Sequence, residues 1–189
     1  MTQVLGGLIV YPLDQAKDLL AFLHDYLPNV PDALTVLVVF LTAPAAPMLP
    51  DNLHNTVVVA PAVCFNGSVQ EGEQVLQPLR AFGSPTVDFI GPMPYTALQT
   101  MFDAQVPPGL HNYYKSVYLQ DLSEPTIDVL IERAAHMADR TTQLHDVQLG
   151  GAISHVGEED SAFSHRHMPY ECYIPAIWSN PEETDRHIA

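Results

Sequence analysis

Positive charge is scarce in this chain. Its 189 residues include 7 lysines and arginines against 22 aspartates and glutamates, a formal net charge of −15, and Lys17 and Lys115 are the only lysines. A surface of that balance repels phosphate backbones and anionic lipid, which excludes nucleic acid and membrane surfaces as expected partners. Cysteine is scarce too: Cys64 and Cys172 stand in apolar, strand-like stretches with no CxxC spacing. That setting fits buried reduced thiols rather than a disulfide or a zinc site. His155, His165 and His167 come nearest to a ligand set, but without an HExxH or a tight Cys/His cluster no metal is expected. A Gly-x-Ser-x-Gly elbow and a Gly-rich loop opening a helix are also missing, so hydrolase and nucleotide-loop readings have no anchor. The longest apolar run, 33–47, is broken by Thr35, Thr42 and prolines and is too short to span a bilayer. With no basic, apolar and small-residue succession at the start, the expected location is cytoplasmic.

What is present suits a folded domain. Hydrophobic residues make up 47% of the chain, enough to bury a substantial core at this length. A strand over 5–11 leads to a helix opened by Asp14 and carrying Leu19, Leu20, Leu23 and Tyr26. Two segments dense in Val, Leu and Phe, 33–42 and 56–65, read as a long hairpin. Asn66-Gly67-Ser68 then starts a helix with Val75, Leu76 and Leu79, made irregular by Pro78 and stopped at Gly83-Ser84-Pro85, before a strand over 86–90. The order β-α-β-β-α-β is that of a ferredoxin-like unit. A short helix over 95–102 leads to a second series: a strand over 113–119, a helix begun by Ser123-Glu124-Pro125 and running to 137, and strands over 143–155 and 170–178. Residues 180–189 read as a helix start cut short. The expected fold is α+β, a single domain over 1–189 of tandem ferredoxin-like halves, about 1–92 and 110–189. They share an antiparallel sheet with helices on one face.

Strand parity then marks the uncovered face. With Tyr113, Val117 and Leu119 assigned to the helix side, Asn112, Tyr114, Ser116, Tyr118 and Gln120 face outward. With Val147, Leu149 and Ile153 toward the helices, Asp146, Gln148, Gly150, Ala152 and Ser154 face outward as well. Gly150 and Ala152 leave room for close approach by a ligand, and aromatics alternating with hydroxyls and amides suit a flat ring system and a polar substrate. Tyr173, on the last strand, completes the candidate face. Lys115 takes the opposite parity and is expected to be an ion-pair partner at the sheet edge.

Three sets of residues carry a family resemblance: the run Asn112-Tyr113-Tyr114-Lys115-Ser116-Val117-Tyr118, the run Leu149-Gly150-Gly151-Ala152-Ile153, and Ser161-Ala162-Phe163-Ser164-His165-Arg166 just downstream. In order and spacing the chain resembles the substrate-binding, or cap, domain of berberine bridge enzyme-like FAD-linked oxidases, within the vanillyl-alcohol oxidase superfamily. The resemblance runs from Leu5-Gly6-Gly7-Leu8 through Gly91-Pro92-Met93-Pro94-Tyr95 to Trp178. It implies an oxidoreductase fragment or subunit that covers the flavin and shapes the pocket of a small-molecule substrate. FAD would be held by a separate FAD-binding domain, of the same or another chain, that has no counterpart here. The chain alone would then bind no cofactor and be catalytically silent. In the resembled family, polar side chains just before the Gly-Gly pair contact substrate, which points to Gln148 and Asp146 as catalytic candidates. Where some members carry an acid nearer the glycines, this chain has Val147. His165 and Arg166 match a family His-Arg pair. The alternative is a stand-alone ferredoxin-like module that binds a small ligand or dimerises. On either reading the exposed face favours a homodimer of the isolated chain.

Overall fold

Strand β1 (Gln3–Pro12) opens the computed structural model, which describes residues 3–137 and 140–188. Leu5, Ile9 and Tyr11 of β1 enter one apolar cluster, whereas Val10, with Leu8 against it, enters another. The strand thus separates two apolar layers, as its alternation dictates. Helix α1 (Ala16–Tyr26) buries Leu19, Leu20 and Leu23 in the first layer. Strands β2 (Leu34–Thr42) and β3 (Val57–Phe65) form the expected hairpin, paired antiparallel from Leu34↔Phe65 to Thr42↔Val57. Helix α2 (Val69–Arg80) begins at a capping box: the Glu71 amide donates to Ser68 Oγ at 3.2 Å and the Ser68 amide to Glu71 Oε2 at 3.3 Å. Two N–H groups left free at a helix start are satisfied this way.

The strand expected over 86–90 is interrupted. β4 (Val87–Asp88) and β5 (Gly91–Pro94) both pair with β1, and Phe89 and Ile90 between them press on Gly7. Gly7 has φ +135, and a Cβ there would lie 2.4 Å from the Phe89 carbonyl oxygen, so only glycine fits this approach. A short helix α3 (Tyr95–Gln99) follows, then β6 (His111–Leu119), α4 (Glu124–Ala135), β7 (Leu144–Gln148), β8 (Tyr170–Trp178) and α5 (Thr184–Ile188).

The strands form one antiparallel sheet in the order β4-β1-β3-β2-β7-β8-β6, with β5 also on β1. Helices α1, α2 and α4 send Leu20, Leu76 and Leu130 into the same cluster on one side of it, giving the expected α+β fold with helices on one face. The first half runs β-α-β-β-α-β with spatial order β4-β1-β3-β2, and the second places its three strands in the order β6-β8-β7. Pairing of β2 with β7, from Leu37↔Val147 to Phe40↔Leu144, joins them. Lys17 of α1 bridges to α4, with Nζ 2.8 Å from Glu124 Oε1 and 2.9 Å from Asp128 Oδ1. Among the described residues no helix is long and apolar enough to cross a membrane.

Two further expectations change. β7 ends at Gln148 rather than near 155, because Gly151 takes φ +63, which breaks the extended chain, and packs against the Asp32 backbone. The side of the sheet away from the helices is also not bare throughout. Over β1, β3 and β2 it is roofed by Ala43, Leu49, Leu53 and Phe102 from the connecting loops. The open part is therefore the surface of β7, β8 and β6.

Candidate functional site

Register decides which side chains reach that open surface, since directly opposed residues of paired strands point the same way. On β6 and β8, Tyr114↔Pro175, Ser116↔Tyr173 and Tyr118↔Glu171 share one side, whereas Val117↔Cys172 and Leu119↔Tyr170 share the helix side, where Cys172 and Tyr170 join the core and Val117, at the sheet edge, stays exposed. The parity read from the sequence for Asn112, Tyr114, Ser116 and Tyr118 therefore holds, and Tyr173 joins them. Lys115 does not act as an ion-pair partner among the described residues. Its ammonium sits 5.6 Å from the centroid of the Tyr113 ring, a cation–π contact.

On β7 the parity is reversed from the expectation. Asp146 and Gln148 lie opposite Cys172 and Tyr170, and Asp146 opposite Val38, all on the helix side. His145 and Val147 take the open side with Tyr173 and Glu171. A one-residue slip exchanges every side chain between faces, and here the misleading cue was Leu149 and Ile153, which lie past the end of the strand. Asp146 and Gln148, the catalytic candidates from sequence, consequently point away from the uncovered surface. The Asp146 carboxyl is 3% exposed, its Oδ1 has no hydrogen-bond partner among the described residues, and desolvation raises its pKa from 3.8 to about 7. Beside it, burial and then the Asp146 charge push the Cys172 thiol up to about 12, so it stays protonated.

Gly150 and Ala152 are also displaced from the expected face. They leave the sheet and line a cleft of about 330 Å³ with Leu27, Pro31 and Asp32. The expected His165–Arg166 pair divides its work. The His165 ring stacks on Tyr118 at 4.2 Å, at the open surface. Arg166 instead holds its own loop, donating from Nη1 to the Ile153 carbonyl at 3.2 Å and from Nη2 to Ser161 Oγ at 2.7 Å. His155 pairs with Asp32 and His167 with Glu158, and no cluster able to hold a metal occurs among the described residues.

Where the open surface meets the roofed part of the sheet lies a chain of three groups, Tyr173 half-buried and His145 and Gln143 buried. The Tyr173 hydroxyl is 2.6 Å from His145 Nδ1, and His145 Nε2 is 2.6 Å from Gln143 Oε1. Desolvation lowers the His145 pKa from 6.5 to about 4, which keeps the imidazole neutral. One tautomer satisfies both contacts: Nε2–H donates to the Gln143 carbonyl oxygen, and Nδ1 accepts from Tyr173. Burial, then the Glu171 charge and Tyr114, raise the Tyr173 pKa, so the phenol keeps its proton. That proton points at His145, which leaves the phenol oxygen as an acceptor toward the open surface. Sequence reading missed His145 and Gln143, two residues apart on one strand, because their partner Tyr173 is distant in the chain.

No family model matches the chain. It is 27% identical over 175 residues to an FAD-linked oxidoreductase of Dictyostelium discoideum, a match covering 90% of this chain and 36% of that protein. Three solved structures superpose on nearly all of it. A berberine bridge enzyme-like protein of Arabidopsis thaliana does so with TM-score 0.74 at 18% identity, covering 99% of this chain and 40% of the other. Berberine bridge enzyme in complex with (S)-reticuline gives 0.72 at 14%, covering 99% and 37%. A chitooligosaccharide oxidase gives 0.70 at 15%, covering 98% and 42%. The resemblance read from the motifs is therefore borne out: in sequence the chain is similar to an FAD-linked oxidoreductase, and in fold to part of berberine bridge enzyme and its relatives. The chain spans somewhat over a third of the curated relative's length.

Proposed function

We propose that this chain is the substrate-binding portion of an FAD-dependent oxidoreductase, that it covers the flavin and shapes one wall of the substrate pocket, and that it is inactive without the FAD-binding domain. The observation that carries this reading is the uncovered sheet surface with the Tyr173–His145–Gln143 chain at its margin, on a fold that matches about two fifths of the length of berberine bridge enzyme and its relatives. Asn112, Tyr114, Ser116, Tyr118 and Tyr173 form a surface of rings and small polar groups suited to a flat heterocycle. Lys17 is committed to Glu124 and Asp128, and Arg80 to Asp88 and Glu73, so neither is free to meet an FAD phosphate. The ring-facing part of the site fits, and the phosphate-binding part belongs to the partner domain.

The chemistry that FAD supplies when bound is acceptance of a hydride from the substrate carbon. This chain handles the accompanying proton. The Tyr173 oxygen accepts it from the substrate hydroxyl or amine as the phenol proton passes to His145 Nδ1, while Gln143 holds the imidazole by Nε2–H. Because burial disfavours the imidazolium, His145 then gives up its proton to water, and the site resets with a neutral imidazole and a phenol that carries the proton taken from the substrate. Left alone, the same face favours self-association into a homodimer.

The isolated chain should purify colourless. Joined to its FAD-binding domain it should oxidise a substrate alcohol or amine, and Tyr173→Phe should lower turnover about 10²-fold or more at unchanged FAD content. Stoichiometric flavin that stays with the isolated chain through gel filtration, or full turnover in the Phe variant, would overturn the reading.

A further inference from the structure

A second feature of the sheet lies beside this surface and takes no part in the proton chain. Between the sheet and the roofing loops is a pocket of about 290 Å³. Its walls come from Leu8 and Val10 of β1, Leu41 of β2, Met93 of β5, and Met48 and Phe102 of the loops, and no lining residue has a charged or hydrogen-bonding side chain. At Leu41 and Ala43 it adjoins a more polar cleft of about 310 Å³ that includes Asn55, Arg140 and Gln143, and Gln143 is bonded to His145. Apolar pocket, polar rim and proton-handling chain thus follow one another along the same side of the sheet.

We infer that the substrate is an uncharged molecule with a compact apolar body, of ring-system size, that seats in this pocket, and with its reacting hydroxyl or amine directed past Gln143 toward Tyr173. This rests on the functional reading above and adds the substrate class. A sugar is the wrong occupant, because each buried hydroxyl would lose its water partners against walls that offer none. A carboxylate or phosphate seated in the pocket is the wrong occupant too, because no lining side chain carries a positive charge to meet it. Met48, Met93 and Met101 all line the pocket, and flexible thioethers adapt to apolar rings of varied outline.

Those methionines also provide the test. In the isolated chain with 13C-labelled methionine methyl groups, naphthalene-2-methanol should shift the Met48, Met93 and Met101 signals saturably and leave Met137 and Met168 in place. Maltose should shift none. Ala60→Phe, which adds bulk to the pocket wall, should weaken the binding at least tenfold. Shifts at Met168 instead of the three pocket methionines, saturable binding of maltose, or undiminished affinity in the folded Ala60→Phe protein would each overturn the proposal. If that variant does not fold, the pattern of methyl shifts in the unmodified chain decides alone. None of these outcomes depends on flavin, so failure here leaves the functional reading standing and is distinguishable from its failure.

Discussion

Replacing Asp146 or His145 should uncover two pH dependences that cancel in the unmodified chain. The two residues are neighbours on β7 and face opposite sides of the sheet, both removed from water. His145 has its pKa lowered from 6.5 to about 4. Between those values the unfolded chain binds the proton and the folded one does not, so stability is lost as pH falls. Asp146 has its pKa raised from 3.8 to about 7. In that window the folded chain holds the proton and the unfolded one does not, so stability is lost as pH rises. Each slope amounts to about 1.4 kcal/mol per pH unit, with opposite sign. From pH 4 to 6.5 the two contributions offset each other. Asp146→Asn should therefore gain roughly 3 kcal/mol of stability between pH 4 and pH 6.5, and His145→Gln should lose about as much. Urea denaturation followed by fluorescence of Trp178, the single tryptophan and a buried one, measures both. Parallel pH profiles for Asp146→Asn and the unmodified chain would refute the assignment of Asp146 to a desolvated position.

Gly7→Ala should destabilise the fold by about 2–4 kcal/mol, because a side chain at φ +135 is strained and its Cβ meets the Phe89 carbonyl; a denaturation midpoint unchanged from the parent would contradict this. The isolated chain should self-associate through the face bearing Tyr114 and Tyr118, more strongly as salt rises, since salt screens the −15 net charge but not the apolar gain. Tyr118→Glu should return it to monomer by light scattering, and a dimer undisturbed by that change would place the contact elsewhere.

Local signals carried most of the architecture. The Val- and Leu-dense segments became the β2–β3 hairpin, and Ser68 became the N-cap of α2. The β6 face was readable because Tyr114, Ser116 and Tyr118 recur at every second position. β7 defeated the same logic. It lies between β2 and β8, with Leu144, His145 and Asp146 all buried in succession, so alternation within the strand says nothing about which side is which. The apolar pocket was illegible for a different reason. Its roof comes from loops around Pro44 and Phe102, and nothing in a loop's composition tells which sheet surface it folds across.

The meeting of β2 with β7 has a further meaning for the whole molecule. Each is the second strand of its half, they pair antiparallel, and the first helices, α1 and α4, lean together above them with Lys17 reaching across. Like elements thus meet like elements about an axis normal to the sheet, as protomers do in a symmetric dimer. The face of the sheet away from the helices is where this symmetry fails. On one side of the axis, loops close over the sheet to make a greasy chamber; on the other, the strands are open and carry Tyr114, Tyr118 and Tyr173. The two parts of one sheet thus present unlike surfaces, one roofed and apolar, the other open and set with rings and small polar groups.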